Sequence, residues 1–255
     1  LAAMEGLYEG DRSAPLIAMG IFGDHDESVH QREQFLMEFK IPKALSYLAF
    51  LDGDHFVPGI SDLVHGNKKE GIPSYEEKIA SGKIAIEALG HYVKAKKSGD
   101  LTTADNELKT FREHEKDFGY GYYFGKDPHM LIPNVKMSFY AFHIMVILGT
   151  YFLLLFIILF VKILRGKLDK SRGLLRLTLW SIPLGYIASQ SGWIVAEVGR
   201  QPWTIQNLLP NIASVSQIDA YSVQVTFFLF LIIFTTLLIA EIKIMLSAIK
   251  KGTEH

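Results

Sequence analysis

Apolar and polar positions divide the chain into two regimes that meet near residue 135. Beyond it, apolar residues come in three long runs. The first lies between Lys136 and Lys162, where only His143 titrates near neutral pH. At ~1.5 Å of helix rise per residue such a run reaches past a hydrocarbon core of ~30 Å. The second lies between Arg176 and Glu197 and carries no charge, but Ser181, Pro183, Gly185, Ser189, Gln190 and Gly192 make it a poor lipid-facing helix. Its small residues predict a place inside a bundle, where neighbours or a flat ligand approach closely. The third, between Asp219 and Glu241, is apolar enough to face lipid.

Before residue 135 the apolar patches are short and broken by Gly, Pro and Asp. LAAMEGLYEGD at the start predicts a short helix holding Glu5, and KIPKALSYLAFL (40–51) is a further short apolar stretch followed by the turn-rich DGDHFVPGISDL. From Pro73 the period becomes helical. Pro73 and Ser74 start a helix of about six turns with Glu76 and Glu77 in its first turn, lysines in its last and an apolar stripe of Ile79, Ile84, Ile86, Leu89 and Val93. Ser98-Gly99-Asp100 breaks it, and residues 102–118 predict a second helix antiparallel to the first. The aromatic, Gly-rich GYGYYFGKDP (119–128) leads on to the long runs. The expected fold is an all-α integral membrane protein: three transmembrane helices, part of a larger bundle, preceded by a loop domain that contains a helical hairpin.

Charge sets the topology. The connection after the first run holds Lys162, Arg165, Lys167, Lys170, Arg172 and Arg176 against a single Asp169, so the positive-inside bias makes it cytoplasmic. Lys243, Lys250 and Lys251 place the C-terminus on the same side. The expected order is an extracytoplasmic segment (1–135), a span (136–164), a cytoplasmic loop (165–175), a span (176–198), an outer loop (199–218), a span (219–249) and a cytoplasmic tail (250–255). A formal net charge of −1 over 255 residues, with no basic cluster interleaved with aromatics, gives no reason to expect nucleic acid as a partner. The absence of cysteine excludes Cys-ligated metals and disulfides. The chain opens on Leu1 and is expected to be part of something longer.

Candidate chemistry gathers toward the outer ends of the first two runs. Ala141, Met145 and Gly149 share one helix face, so a thioether, which can serve as an axial haem ligand, has little side chain above or below it. The alternative is a Met filling a gap between helices. His143 points roughly to the opposite side, as an interfacial polar residue would. Trp193 and Glu197 share a face, and Arg200 follows Gly199, a helix stop. Ionisable groups at this depth are functional candidates, and a carboxylate in a last helical turn needs a cation, a proton or a metal. The alternative is an interfacial Glu–Arg pair with a belt Trp. Glu5 could accept a proton from a bound hydroxyl, or simply be a solvated helix residue. His25, His30, His55, His65, His91, His114 and His129 show no i, i+4 pair and no HExxH, so a loop metal site is not expected.

Four stretches in this order, LAAMEG (1–6), DFGYGYYF (117–124), SFYAFHIMVILG (138–149) and GWIVAEVGRQPW (192–203), resemble the C-terminal half of subunit I of the cytochrome bd-type quinol oxidases. The GRQPW run is the most specific of them. The resemblance implies that residues 1–135 are the long type of quinol-binding loop and that Glu5 takes part in quinol oxidation. The family's partner lysine would stand immediately before Leu1. Met145 matches the methionine ligand of the low-spin haem b and Glu197 the glutamate ligand of the high-spin haem b. Arg200 and Trp193 match residues packed beside the haem pair, as propionate contact and aromatic spacer. The histidine partner of Met145 and the ligand of haem d belong to upstream helices, so this chain alone would be an incomplete enzyme.

By the same resemblance, quinol (ubiquinol or menaquinol) is oxidised at the outer face of a bacterial cytoplasmic (inner) membrane. Electrons pass through the low-spin haem b to the high-spin haem b and haem d pair, and oxygen is reduced to water with protons from inside, without pumping. Implied partners are subunit II, a small accessory subunit, the N-terminal half of the same subunit and the lipid membrane. His143 stands where members often carry Arg, among the positions beside the low-spin haem. If that position balances haem charge, a His there should make the low-spin potential more pH-dependent, since Arg stays charged throughout. Two competing readings are a membrane-tethered extracellular sensor or binding module, and a related oxidase that carries b haems in place of haem d.

Overall fold

The computed structural model describes residues 1–23, 35–168 and 170–252. His25, His30 and Asp169, all used in reading the sequence, lie outside the described residues. The segment before residue 135 is not purely helical, contrary to expectation. A short helix α1 (Ala2–Glu5) is followed by strands β1 (Asp11–Arg12), β2 (Leu16–Phe22) and β3 (Phe35–Ile41), helix α2 (Ala44–Phe50), strand β4 (Phe56–Val57) and helix α3 (Ile60–His65). β2 pairs antiparallel with β3, and β1 with β4. LIAMGIF and FLMEFKI are rich in the branched and aromatic residues that fit a pleated ribbon, and each supplies the other's ladder. The 40–51 stretch is correspondingly split between the end of β3 and α2.

The helical hairpin forms as expected, but the buried face of its first helix is Ile79, Gly82, Ala85, Ala88 and Ala95, while Ile84 and Val93 of the expected stripe are exposed. α4 (Tyr75–Ser98) starts on a reciprocal cap, in which Ser74 Oγ accepts from the Glu77 N–H (3.1 Å) and the Glu77 carboxylate from the Ser74 N–H (2.9 Å). It ends at Gly99, whose φ of +81° suits a residue without Cβ. Asp100 then caps α5 (Leu101–His114) through the Thr103 N–H. The second helix stops at His114, four residues short of expectation, because Glu115–Tyr123 tightens into a 3₁₀ turn that lies flat on α4. That contact is backbone on backbone: a Cβ on Gly82 would sit 2.2 Å from the Asp117 carbonyl oxygen and 2.4 Å from the Gly121 nitrogen.

A second 3₁₀ turn, Pro128–Leu131, leads to α6 (Val135–Leu164), whose first turn is capped by Asn134 accepting from the Met137 N–H at 2.9 Å. α7 (Arg172–Val198) packs along α6, and Tyr151 of α6 meets Ser181 of α7, oxygen to oxygen, at 2.5 Å. After α7 a small ribbon of β5 (Trp203–Ile205) and β6 (Leu209–Pro210) turns Trp203 back onto Tyr120 and Tyr123. α6 and α8 (Ala220–Lys251) are long and apolar enough to cross a membrane. α8 belongs to a separate unit starting at Val215, and none of its residues is buried. The second predicted span also falls on one helix, α7, but α7 does not reach the apolarity of the other two.

The core that positions the candidate site lies where α1, β2 and α6 meet. Ala2, Ala3, Ile17, Phe22, Val135 and Phe139 are buried together there. Phe139 is ringed by Phe22 at 4.9 Å, Phe35 at 5.2 Å and His143 at 3.9 Å between centroids.

Candidate functional site

Glu5 closes α1, and the chain escapes through Gly6 at φ +60°, where a Cβ would also meet the Phe35 ring at 2.9 Å. Because the short helix lays Ala2 and Ala3 on α6, the Glu5 side chain is carried into the core and is only 1 % exposed. The solvated alternative for this residue is thereby overturned. The carboxylate accepts from the Ile17 N–H of β2, while its Oε2 has no hydrogen-bond partner among the described residues. Burial pushes the Glu5 pKa above the usual carboxylate range; the nearby His143 charge and the Ile17 N–H oppose that shift and are the smaller effects.

His143 is also buried, 8 % exposed, one helical turn beyond Phe139. Its Nδ1 donates to the Phe139 carbonyl at 2.8 Å and its Nε2 to the Ile17 carbonyl at 2.5 Å. The ring thus faces β2 and Glu5, on the other side of α6 from the Ala141–Met145–Gly149 face.

Met145 is half-buried, and its sulfur is aimed across the helix interface at α7, where a Cβ on Gly192 would stand 3.2 Å from Sδ. Gly192 is therefore the small residue that admits the thioether. Beside Gly149 nothing lies within 4 Å of where a Cβ would be, so α6 also keeps open space on the expected face. At the end of α7, Trp193 is 62 % exposed, and the half-exposed Glu197 receives a hydrogen bond from the Arg200 guanidinium at 3.1 Å. Gln201 adds a side-chain bond to the Glu197 carbonyl at 3.2 Å, tying the GRQPW turn onto the last helical turn.

α1 joins these two ends. Its Met4 methyl group lies 3.1 Å from where a Cβ on Gly199 would be, so one short helix leans on both α6 and the end of α7. Beside it opens a cleft of about 180 Å³ lined by Leu1, Met4, Tyr75, Tyr120, Arg200 and Trp203 among others. Burial pushes the Tyr75 and Tyr120 phenols well up, and it lowers the ammonium of Lys78. Lys78 Nζ lies over the Tyr75 and Tyr120 rings at 5.7 and 5.5 Å from their centres, and the charge of Asp117 opposes its shift.

The structure thus gathers Glu5 with His143, and Glu197 with Arg200, and it places Met145 against Gly192. Sequence reasoning missed Ile17, Tyr75 and Tyr120 as parts of this region. Tyr120 lay within DFGYGYYF and Trp203 within GRQPW, so those two motifs already marked one wall of the cleft.

Comparison with known proteins agrees with the motifs. The family model described as cytochrome bd terminal oxidase subunit I matches residues 1–253. The chain is similar to the cytochrome bd-II ubiquinol oxidase subunit 1 of Escherichia coli (strain K12), 30 % identical over 267 residues that cover 99 % of this chain and 48 % of that protein. It is also similar to the cytochrome bd ubiquinol oxidase subunit 1 of Bacillus subtilis (strain 168), 33 % identical over 170 residues, 66 % of this chain and 34 % of that protein. The chain therefore spans about half the length, or less, of the curated relatives it matches. With the four motifs and the family match running along its whole length, the chain belongs to the cytochrome bd terminal oxidase subunit I family.

Proposed function

We propose that this chain supplies the quinol-side carboxylate and two haem ligands of a cytochrome bd-type oxidase that oxidises quinol at the outer membrane face and reduces oxygen to water. The observation that carries the reading is Glu5: a buried carboxylate with one oxygen unbonded among the described residues, on a helix leaning on the ends of both α6 and α7. A raised pKa suits a group that must hold a proton taken from a hydroxyl donor. The cleft beside α1, lined by the aromatic Tyr75, Tyr120 and Trp203 together with the polar Arg200 and Gln206, offers rings for a quinol ring to stack on and polar groups for its hydroxyls.

The donor chemistry of the chain fits haem. Met145 offers a thioether at a half-buried position with free space beside Gly149, and Glu197 offers a half-exposed carboxylate held by Arg200, one helical turn after the exposed Trp193. Bound there, two b haems would supply the one-electron transfers, with haem d, held by upstream helices, completing the oxygen-reducing centre. The side chains bind and orient. Met145 and Glu197 would hold iron, Arg200, which bonds the Glu197 carboxylate, would provide a cation for propionates, and Trp193 would fill the space alongside.

α6, α7 and α8 are three spans of a bacterial cytoplasmic-membrane protein, with residues 1–135 outside and the lysines at the end of α8 inside. α7 needs other helices around it, which the rest of the subunit and a second subunit would provide. The lysines and arginines between α6 and α7 hold that topology.

The test is the reduced-minus-oxidised spectrum of the full-length oxidase. Met145→Leu should lose the low-spin b signal, Glu197→Ala should disturb the high-spin and d signals, and Glu5→Gln should keep all signals while losing quinol turnover. Unchanged spectra in the first two would overturn the ligand assignments, and unchanged turnover in the third would overturn the role of Glu5.

A further inference from the structure

His143 and Glu5 are far apart in sequence, yet both bind the same residue. In an extended strand the N–H and C=O of one residue point to the same side. Ile17 is in register with Lys40 of β3, and it turns both of its peptide groups to α1 and α6 instead. Its N–H goes to the Glu5 carboxylate and its C=O to His143 Nε2. A two-stranded ribbon has a free edge that must find partners. Here the partners are one carboxylate and one imidazole, both buried. The imidazole is fixed in turn: Nδ1 is held by the Phe139 carbonyl and the ring stacks on the Phe139 ring at 3.9 Å and 29°. His143 therefore has no freedom to leave Ile17 without breaking two hydrogen bonds and a stack.

We infer that His143 is a positioning residue for Glu5: it pins the β2 edge at Ile17, and that edge holds the Glu5 carboxylate in its place in the core between α1, β2 and α6. The inference rests on the reading of Glu5 as the quinol-side carboxylate. It gives His143 a task distinct from balancing haem charge, because the ring is turned toward β2, away from the Met145 face. Geometry at a proton acceptor is demanding, and a displacement of about 1 Å can cost on the order of 100-fold in rate.

The experiment is a double-mutant cycle in the full-length oxidase, read with a short-tail quinol and with the haem spectrum. His143→Leu removes the donor and should lower kcat/KM for quinol on the order of 10- to 100-fold while leaving the low-spin signal and potential as in wild type. His143→Gln, whose amide N–H can reach the Ile17 carbonyl, should restore most of that loss. Added to Glu5→Gln, the His143→Leu change should cost nothing more, since it acts through Glu5. Additive losses, failure of Gln to rescue, or a shifted low-spin haem potential would each overturn the inference. Should His143→Leu not assemble, His143→Asn, too short to reach Ile17, takes its place in the same comparison. If Glu5→Gln alone leaves quinol turnover intact, the role of Glu5 falls and the inference with it. If Glu5→Gln abolishes turnover but His143→Leu does not change it, only the inference falls.

Discussion

Glu5 and Glu197 are the same side chain held in opposite ways. Glu5 is enclosed by α1, β2 and α6, receives a backbone N–H, and lies in an apolar core around Phe139. Glu197 stands at the end of α7, half in the open, and is held by Arg200 three residues on. The first corner is assembled from residues spread over more than half of the chain. The second is local: a helix end, its stop and the next turn. Environment and not residue type separates the two: burial raises the pKa of Glu5, while the half-exposed Glu197 is paired with a guanidinium.

The contrast can be broken most forcefully at Phe139. It is fully buried among aromatic rings, so Phe139→Ala should cost about 3–5 kcal/mol. A fall in the thermal midpoint of the purified oxidase, with newly exposed Glu5, would register it; a midpoint unchanged from wild type would mean that the α1–β2–α6 corner is not packed as described. Next comes Glu5→Gln, which should show a pH signature. The folded pKa of Glu5 lies above its ordinary value of 4.5, so the folded chain binds that proton more tightly than the unfolded one. Its contribution to stability is complete below pH 4.5 and is lost as the pH rises through the folded value. Glu5→Gln should therefore gain on wild type with rising pH, and melting curves that keep a constant separation across the range would contradict the burial.

At the Glu197 corner the expected effects on stability are small. Arg200→Gln removes one exposed ion pair and should cost about 0–1 kcal/mol, less at high salt. A dependence on salt that is absent in wild type and variant alike would show that the pair carries no energy. Trp193→Ala, at a side chain 62 % exposed, should change the midpoint by only about 0.5 kcal/mol or less. The same variant should alter the high-spin haem spectrum if the ring serves as spacer there. A stability loss as large as that of Phe139→Ala would erase the contrast between the corners.

The parts of this structure that depend on near neighbours were legible in the sequence. α4 was announced by Ser74, two acidic residues and a closing Gly99, and each has that role in the structure. The GRQPW turn was recognisable because Glu197, Gly199 and Arg200 are adjacent. β2 and β3 were not legible: their apolar residues do not alternate cleanly, and at Gly20 and Phe35 the ribbon is packed on Phe139 of a distant helix. The fate of Glu5 was equally hidden, because the groups that bury it come from β2 and from α6, far along the chain. His143 was correctly placed opposite Met145 on the helix. No spacing rule, however, could reveal that its partner would be the carbonyl of Ile17, which lies 126 positions away.

The double attachment of Ile17 also makes its amide a built-in reporter. That hydrogen is bonded to a buried carboxylate instead of to a neighbouring strand. Its exchange with deuterated solvent should be slow, and it should quicken only when α1 lifts from α6. One amide in a short ribbon would then time the opening of the corner that holds Glu5.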